Sequence, residues 1–101
     1  MHIKVGERLR SAVDTTEIVI IRAEPGDVAL TCGGQAMVAP DASVPVGSPV
    51  SGQDTGTALG KRYTTVDAAI EVLCTKAGQG SLSVDGVAMT LKQPRGLPAS
   101  D

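Results

Sequence analysis

The chain has 101 residues and a formal net charge of −2, from nine Lys and Arg against eleven Asp and Glu. It holds 24 Val, Ile and Leu, but Tyr63 is the single aromatic residue and there are two cysteines. These numbers fit one domain. They exclude a membrane span, which needs about 18 consecutive apolar residues, and a stacking-based reader of single-stranded nucleic acid. They also exclude a disulfide-stapled miniprotein, and the charge speaks against nonspecific binding to nucleic acid or anionic lipid.

At the N-terminus Val5, Leu9, Ala12 and Val13 recur at helical spacing, so residues 5–13 read as one short helix. Gly6 weakens that reading and an N-terminal strand competes with it. Residues 17–22, EIVIIR, form a β-branched run with charged ends. Being apolar on both parities, the run predicts a strand covered on both faces. Glu24-Pro25-Gly26-Asp27 fits a type II turn. Val28, Leu30 and Cys32 alternate after it, which predicts a hairpin with the preceding run. Gln35 to Val38 adds a short strand beyond the Gly33-Gly34 bend.

Residues 39–58 are a long Pro/Gly/Ser-rich loop with three prolines and three glycines. Connections of this length are functional or disordered. Strands at 61–66 and 69–75 join around Asp67-Ala68, with Ile70, Val72 and Cys74 on one face and Glu71 pointing outward. The clearest local structure is 81–91, where Asp85-Gly86 marks a type I′ hairpin turn. In that register Leu82, Val84, Val87, Met89 and Leu91 share one face. Residues 93–101 read as a flexible tail. The expected fold is mainly β: one domain over 1–101, a small antiparallel barrel or sandwich of about six short strands with at most one short N-terminal helix.

Residues that carry chemistry are sparse. Cys32 precedes two glycines, whose exposed N–H groups can lower a thiol pKa. Core packing is the simpler reading for both Cys32 and Cys74, which continue the inward parity of their strands. The stretch 26–38 resembles the second ligand hairpin of desulforedoxin- and rubredoxin-type iron sites, where a Cys is followed by glycine and a Met-Val pair. The first CxxC of that pattern is absent, so the iron site is not carried over. Cys32 and Cys74 are the metal-ligand candidates, short of the four ligands of a closed site unless a dimer pools them. Gly56 to Arg62 fails the phosphate-loop spacing, leaving Lys61-Arg62 as a surface basic pair. His2 is the one histidine and sits near the terminus, so no His-based nucleophile arrangement is present. Asp27, Asp67 and Asp85 stand at predicted turns.

The expectation is a small non-catalytic accessory or interaction module with no cofactor. It binds a protein partner or a small apolar ligand through a sheet edge, a dimer groove or the 39–58 loop. A thiol-dependent redox or metal-binding protein using Cys32 and Cys74 is the alternative. Scarce aromatic packing makes a homodimer plausible. The N-terminus lacks a secretory pattern, and the reading is cytoplasmic. The Ala-, Val- and Gly-rich, Lys-poor texture resembles that of small bacterial proteins from GC-rich genomes.

Overall fold

The computed structural model describes residues 2–43 and 47–92. The tail at 93–101 lies outside the described residues. Nine short strands run in chain order: β1 (Arg8–Arg10), β2 (Glu17–Arg22), β3 (Leu30–Cys32), β4 (Gln35–Ala36), β5 (Arg62–Thr64), β6 (Glu71–Lys76), β7 (Leu82–Val84), β8 (Val87–Ala88) and β9 (Thr90–Leu91). They form two antiparallel sheets, β1-β2-β6-β5-β9 and β4-β3-β7-β8. No helix occurs among the described residues.

The architecture is sandwich-like, and the expected alternative of a barrel is not what forms. The sheets touch at two corners. At one, Arg10 and Val38 exchange a single pair of backbone hydrogen bonds of 2.8 and 2.9 Å. At the other, the chain passes from β8 to β9 through Met89 and changes sheets. One bridge is not a ladder, so the hydrogen-bonded circuit stays open.

The helical spacing at 5–13 gives way to turn chemistry. Gly6 adopts φ +89° and Val5 is exposed. The Ser11 hydroxyl accepts the N–H groups of Val13 and Asp14 at 3.0 and 3.2 Å, and Ser11 N–H donates to Thr16 O at 2.8 Å. This closes 11–16 as the loop of a β1–β2 hairpin, because a serine hydroxyl competes well for local backbone donors. Leu9 and Val13 still reach the interior.

β2 lies inside its sheet, between β1 and β6. Ile18 and Ile20 are fully buried, while Val19 and Ile21 on the other face are half-buried. The expected hairpin between β2 and the next strand does not form. Gly26 takes a positive φ of +119°, as the turn requires, but β3 pairs with β4 and β7 in the opposite sheet. Residues 23–29 therefore cross between layers. The crossover lets Ile18 and Ile20 face Leu30 and Cys32 across one core, which a flat hairpin would not.

That core gathers Ile3, Leu9, Ile18, Ile20, Leu30, Cys32, Met37, Ile70, Val72, Leu82, Val84 and Met89, with Tyr63 packed at its margin. Tyr63 keeps its hydroxyl satisfied by accepting Ala58 N–H at 2.9 Å. β5 and β6 pair as expected, with Tyr63 opposite Val72. The β7–β8 turn has φ +52° at Asp85 and +83° at Gly86, and Val84 faces Val87. These are the two positive φ values a type I′ turn demands. The shared inward face is only partly kept. Leu82, Val84 and Met89 are buried, but Val87 is 60% and Leu91 42% exposed. Both lie on edge strands, where the opposite sheet no longer covers them. Ser83, expected outward, is buried.

Candidate functional site

Strand directions give the sandwich two distinct ends. Where β2 ends, three turns surround a half-open cleft of about 460 Å³. The first contributes Glu24, Pro25 and Val28. The second, between β5 and β6, contributes Thr65, Val66, Asp67, Ala69 and Ile70. The third is the β7–β8 turn, with Val84, Asp85, Val87 and Ala88.

Local bonding explains why these turns hold their shape. Asp67 Oδ1 accepts the Thr65 hydroxyl at 2.7 Å and Ala69 N–H at 3.1 Å, while Ile70 N–H donates to Thr65 Oγ1 at 3.2 Å. The Thr65 hydroxyl and the Ala69 N–H hold the Asp67 carboxyl below its ordinary range. This Asx-type turn pushes Val66 outward to 83% exposure. The third turn is tied to the start of β3: Asp85 Oδ1 accepts Ala29 N–H at 2.8 Å, and Asp85 N–H donates to Ala29 O at 2.9 Å. The cleft floor is aliphatic, from Ile70, Val84 and Val28, and Val66 and Val87 stand on its rim. Glu24, Asp67 and Asp85 are the only charged groups lining it among the described residues. It is a surface for holding an apolar group beside negative charge. Thr65 supplies its one side-chain hydroxyl, and that oxygen is already bonded within the turn.

The opposite end, where β2 begins, is closed. Asp14 reaches from the β1–β2 loop and accepts Thr16 N–H and the Thr16 hydroxyl, each at 3.1 Å, and a short bond from Gly80 N–H. Burial opposes its ionisation, but the bonds from Ser11, Gly80 and Thr16 together outweigh it and lower its pKa. Thr57 joins the same end, donating its hydroxyl to Gly80 O at 2.7 Å and pairing its backbone with Gly78. The 39–58 loop is fastened here. Val50 N–H donates to Gly33 O at 2.8 Å, Ser81 N–H to Gln53 O at 2.9 Å, and the hydroxyls of Thr55 and Ser81 meet at 2.6 Å. Arg10 donates to the carbonyls of Pro40, Ser11 and Ala42. None of the described loop residues lines the cleft.

Both cysteines are free and buried. Gly33 and Gly34, at φ +65° and +87°, form the two-residue turn that pairs Cys32 with Gln35. Gly33 N–H donates to Ser81 O rather than to sulfur. The thiol of Cys32 is turned toward Asp14 Oδ1, 3.9 Å away. Burial, reinforced by that carboxylate, pushes the Cys32 thiol up to about 11, in spite of nearby Thr16 and Ser11 hydroxyls. The lowering that the glycine N–H groups could have given does not occur, and burial sets the direction. Cys74 sits on β6 with its sulfur against Lys76 O at 3.2 Å, and burial raises it too. Among the described residues no three His, Cys, Asp or Glu side chains converge to hold a metal. His2 is bridged to Asp27, with Nδ1 3.5 Å from Oδ1.

Glu71, expected outward, is buried between two cations: Lys92 Nζ at 2.9 Å and Arg62 Nη1 at 3.4 Å. The bond from Lys92, against the cost of burial and with the charges of Lys92, Arg62 and Arg22, holds its carboxyl below the usual range. Arg62 is therefore half of a structural ion pair rather than a free surface charge.

No family model, curated protein or solved structure matches the chain. A bacterial source, a cytoplasmic address and a homodimer consequently gain no support from relatives. No helix among the described residues is long and apolar enough to cross a membrane. The cleft itself escaped the sequence reading. Its one signal was Val66, an aliphatic residue isolated inside a turn.

Proposed function

We propose that this chain is a binding module without catalysis of its own, and that the three-turn cleft is where it takes up a short branched aliphatic group. The observation that carries the reading is the pairing of an aliphatic floor with two rim valines left in solvent, Val66 and Val87. Exposed aliphatic residues gathered around a concavity mark interaction sites more than scattered ones do. The thiols play no part in it. At neutral pH Cys32 stays a thiol, and a thiol is a poor nucleophile and ligand.

Isoamyl alcohol is a suitable neutral probe, followed by amide shifts in an NMR titration. A ligand of so few heavy atoms binds in the millimolar range, by the order-of-magnitude limit on binding energy per atom. The amides of Val66, Ala69, Ile70, Val87 and Ala88 are expected to move together and saturate. The double substitution Val66→Ser and Val87→Ser should abolish the response. Shifts unaffected by that double variant, or spread through the core instead, would refute the reading.

A further inference from the structure

We infer that the cleft takes an extended peptide segment, one aliphatic side chain flanked by Lys or Arg, laid against the free edge of β8. This rests on the cleft reading above and adds to it the occupant.

Two observations specify the occupant. The first is charge. Glu24, Asp67 and Asp85 line the cleft, and among the described residues no Lys, Arg or His does. Among the described residues, no salt bridge involves any of the three. Asp67 uses Oδ1 within its own turn and Asp85 uses Oδ1 on Ala29 N–H, which leaves each Oδ2 to a visitor. Glu24 is exposed and has no such duty. Three carboxylates around one apolar mouth repel an anionic partner and draw a cationic one.

The second observation is the backbone. In a two-residue hairpin the closing pair is hydrogen-bonded, and bonded and non-bonded pairs alternate from there. Val84 and Val87 close this one. Met89 N–H donates to Leu82 O at 2.9 Å, which fixes the alternation. Ser83 and Ala88 are then the non-bonded pair, so the N–H and C=O of Ala88 point away from β7. β8 is an edge strand, and Ala88 lines the cleft. Among the described residues nothing pairs with those two groups. An extended segment supplies the matching C=O and N–H from a residue beside its aliphatic one, and strand alternation then turns the aliphatic side chain to the face of Val84, opposite that of Ala88. Because β8 is only two residues long, the edge offers one bonded position. This fits a single anchoring residue rather than a long added strand.

The test uses the full chain and capped pentapeptides with a central valine. One is flanked by lysines, one by glutamates. A third has lysines around a central serine, and a fourth is the lysine peptide N-methylated at both lysines that flank its valine. The lysine–valine peptide should bind at least about tenfold tighter than the glutamate form, with the advantage shrinking as salt rises. The serine and N-methyl peptides should each lose most of the affinity. Glu24→Lys should weaken the lysine peptide without changing the unfolding midpoint, since Glu24 is exposed and makes no ion pair among the described residues.

If isoamyl alcohol moves the cleft amides but lysine and glutamate peptides bind alike, the inference fails and the cleft reading stands. If neither probe moves them, both fail. Equal binding of the N-methyl peptide overturns the edge pairing. Concentration-dependent shifts of the same amides without peptide would assign the cleft to a second copy of the chain and overturn the proposed occupant.

Discussion

The end of the sandwich where β2 begins and the end where it finishes are both made of short turns, yet they are bonded in opposite styles. At the first, one carboxylate, Asp14, holds three elements together. Gly78 and Gly80 approach so closely that a Cβ at Gly80 would stand 2.7 Å from both Asp14 Oδ2 and Cys32 Sγ. At the second, Asp67 and Asp85 each spend one oxygen, on the turn of Asp67 and on Ala29 N–H respectively, and keep the other free. A Cβ at Gly86 would meet nothing within 4 Å. Polar groups turned inward make a clasp, and the same groups turned to the rim leave an opening.

The largest expected break in this contrast is Gly80→Ala. Overpacking against Asp14, Cys32 and the Gly33 backbone should cost about 3 kcal/mol, read from urea unfolding. Gly86→Ala, at the open end, meets only the penalty of a positive φ, about 1–2 kcal/mol. Equal losses at the two positions would erase the distinction.

Asp14→Ala comes next. It leaves Gly80 N–H and the two donors of Thr16 without their acceptor, at a cost of about 2 kcal/mol. The pH dependence follows the same group. Asp14 and Glu71 both have folded pKa values below their ordinary ones. As pH falls, the unfolded chain takes up protons first. The stability these two carboxylates contribute is therefore complete above the unfolded carboxylate range, about pH 4–5, and drains away as pH descends through the folded values. Asp14→Asn should flatten that acid limb in a series of unfolding curves.

A smaller effect separates the thiols from function. Cys32 and Cys74 should react with iodoacetamide at neutral pH at least about a hundredfold more slowly folded than unfolded, since reaction needs both exposure and thiolate. Fast labelling of Cys32 in the native chain would contradict its raised pKa. Smallest in stability is Val66→Ser, expected within about 0.5 kcal/mol of the parent because the side chain is exposed, while isoamyl alcohol uptake falls. Binding and stability would then be carried by different ends.

What the sequence disclosed follows from how local each feature is. Asp85-Gly86 and Gly33-Gly34 were readable because a two-residue turn depends on φ at those residues alone. The β5–β6 pair was readable because its strands are neighbours in the chain. The sheet assignment of β2 and β3 was not, since Glu24 to Asp27 looks the same whether it closes a hairpin or carries the chain between layers. The N-terminal spacing of Val5, Leu9 and Val13 satisfied a helix until the Ser11 hydroxyl took the backbone donors. The burial of Glu71 depends above all on Lys92, which only the pairing of β9 with β5 brings alongside. The cleft was hidden for the same reason: its three turns come from 24–28, 65–70 and 84–88, and no one of them supplies half of its lining.

One stretch of backbone, 87–91, belongs to both layers, with Met89 as its pivot. A hairpin seated wholly in one sheet can peel away and leave the other intact. Here, lifting β8 tugs on β9, and through it on the seat of Lys92 beside Glu71. Deuterium uptake at the bonded amides of Met89 and Lys92, which donate to Leu82 O in one sheet and to Arg62 O in the other, should consequently rise together under mild denaturant, as one cooperative opening that spans the thickness of the molecule.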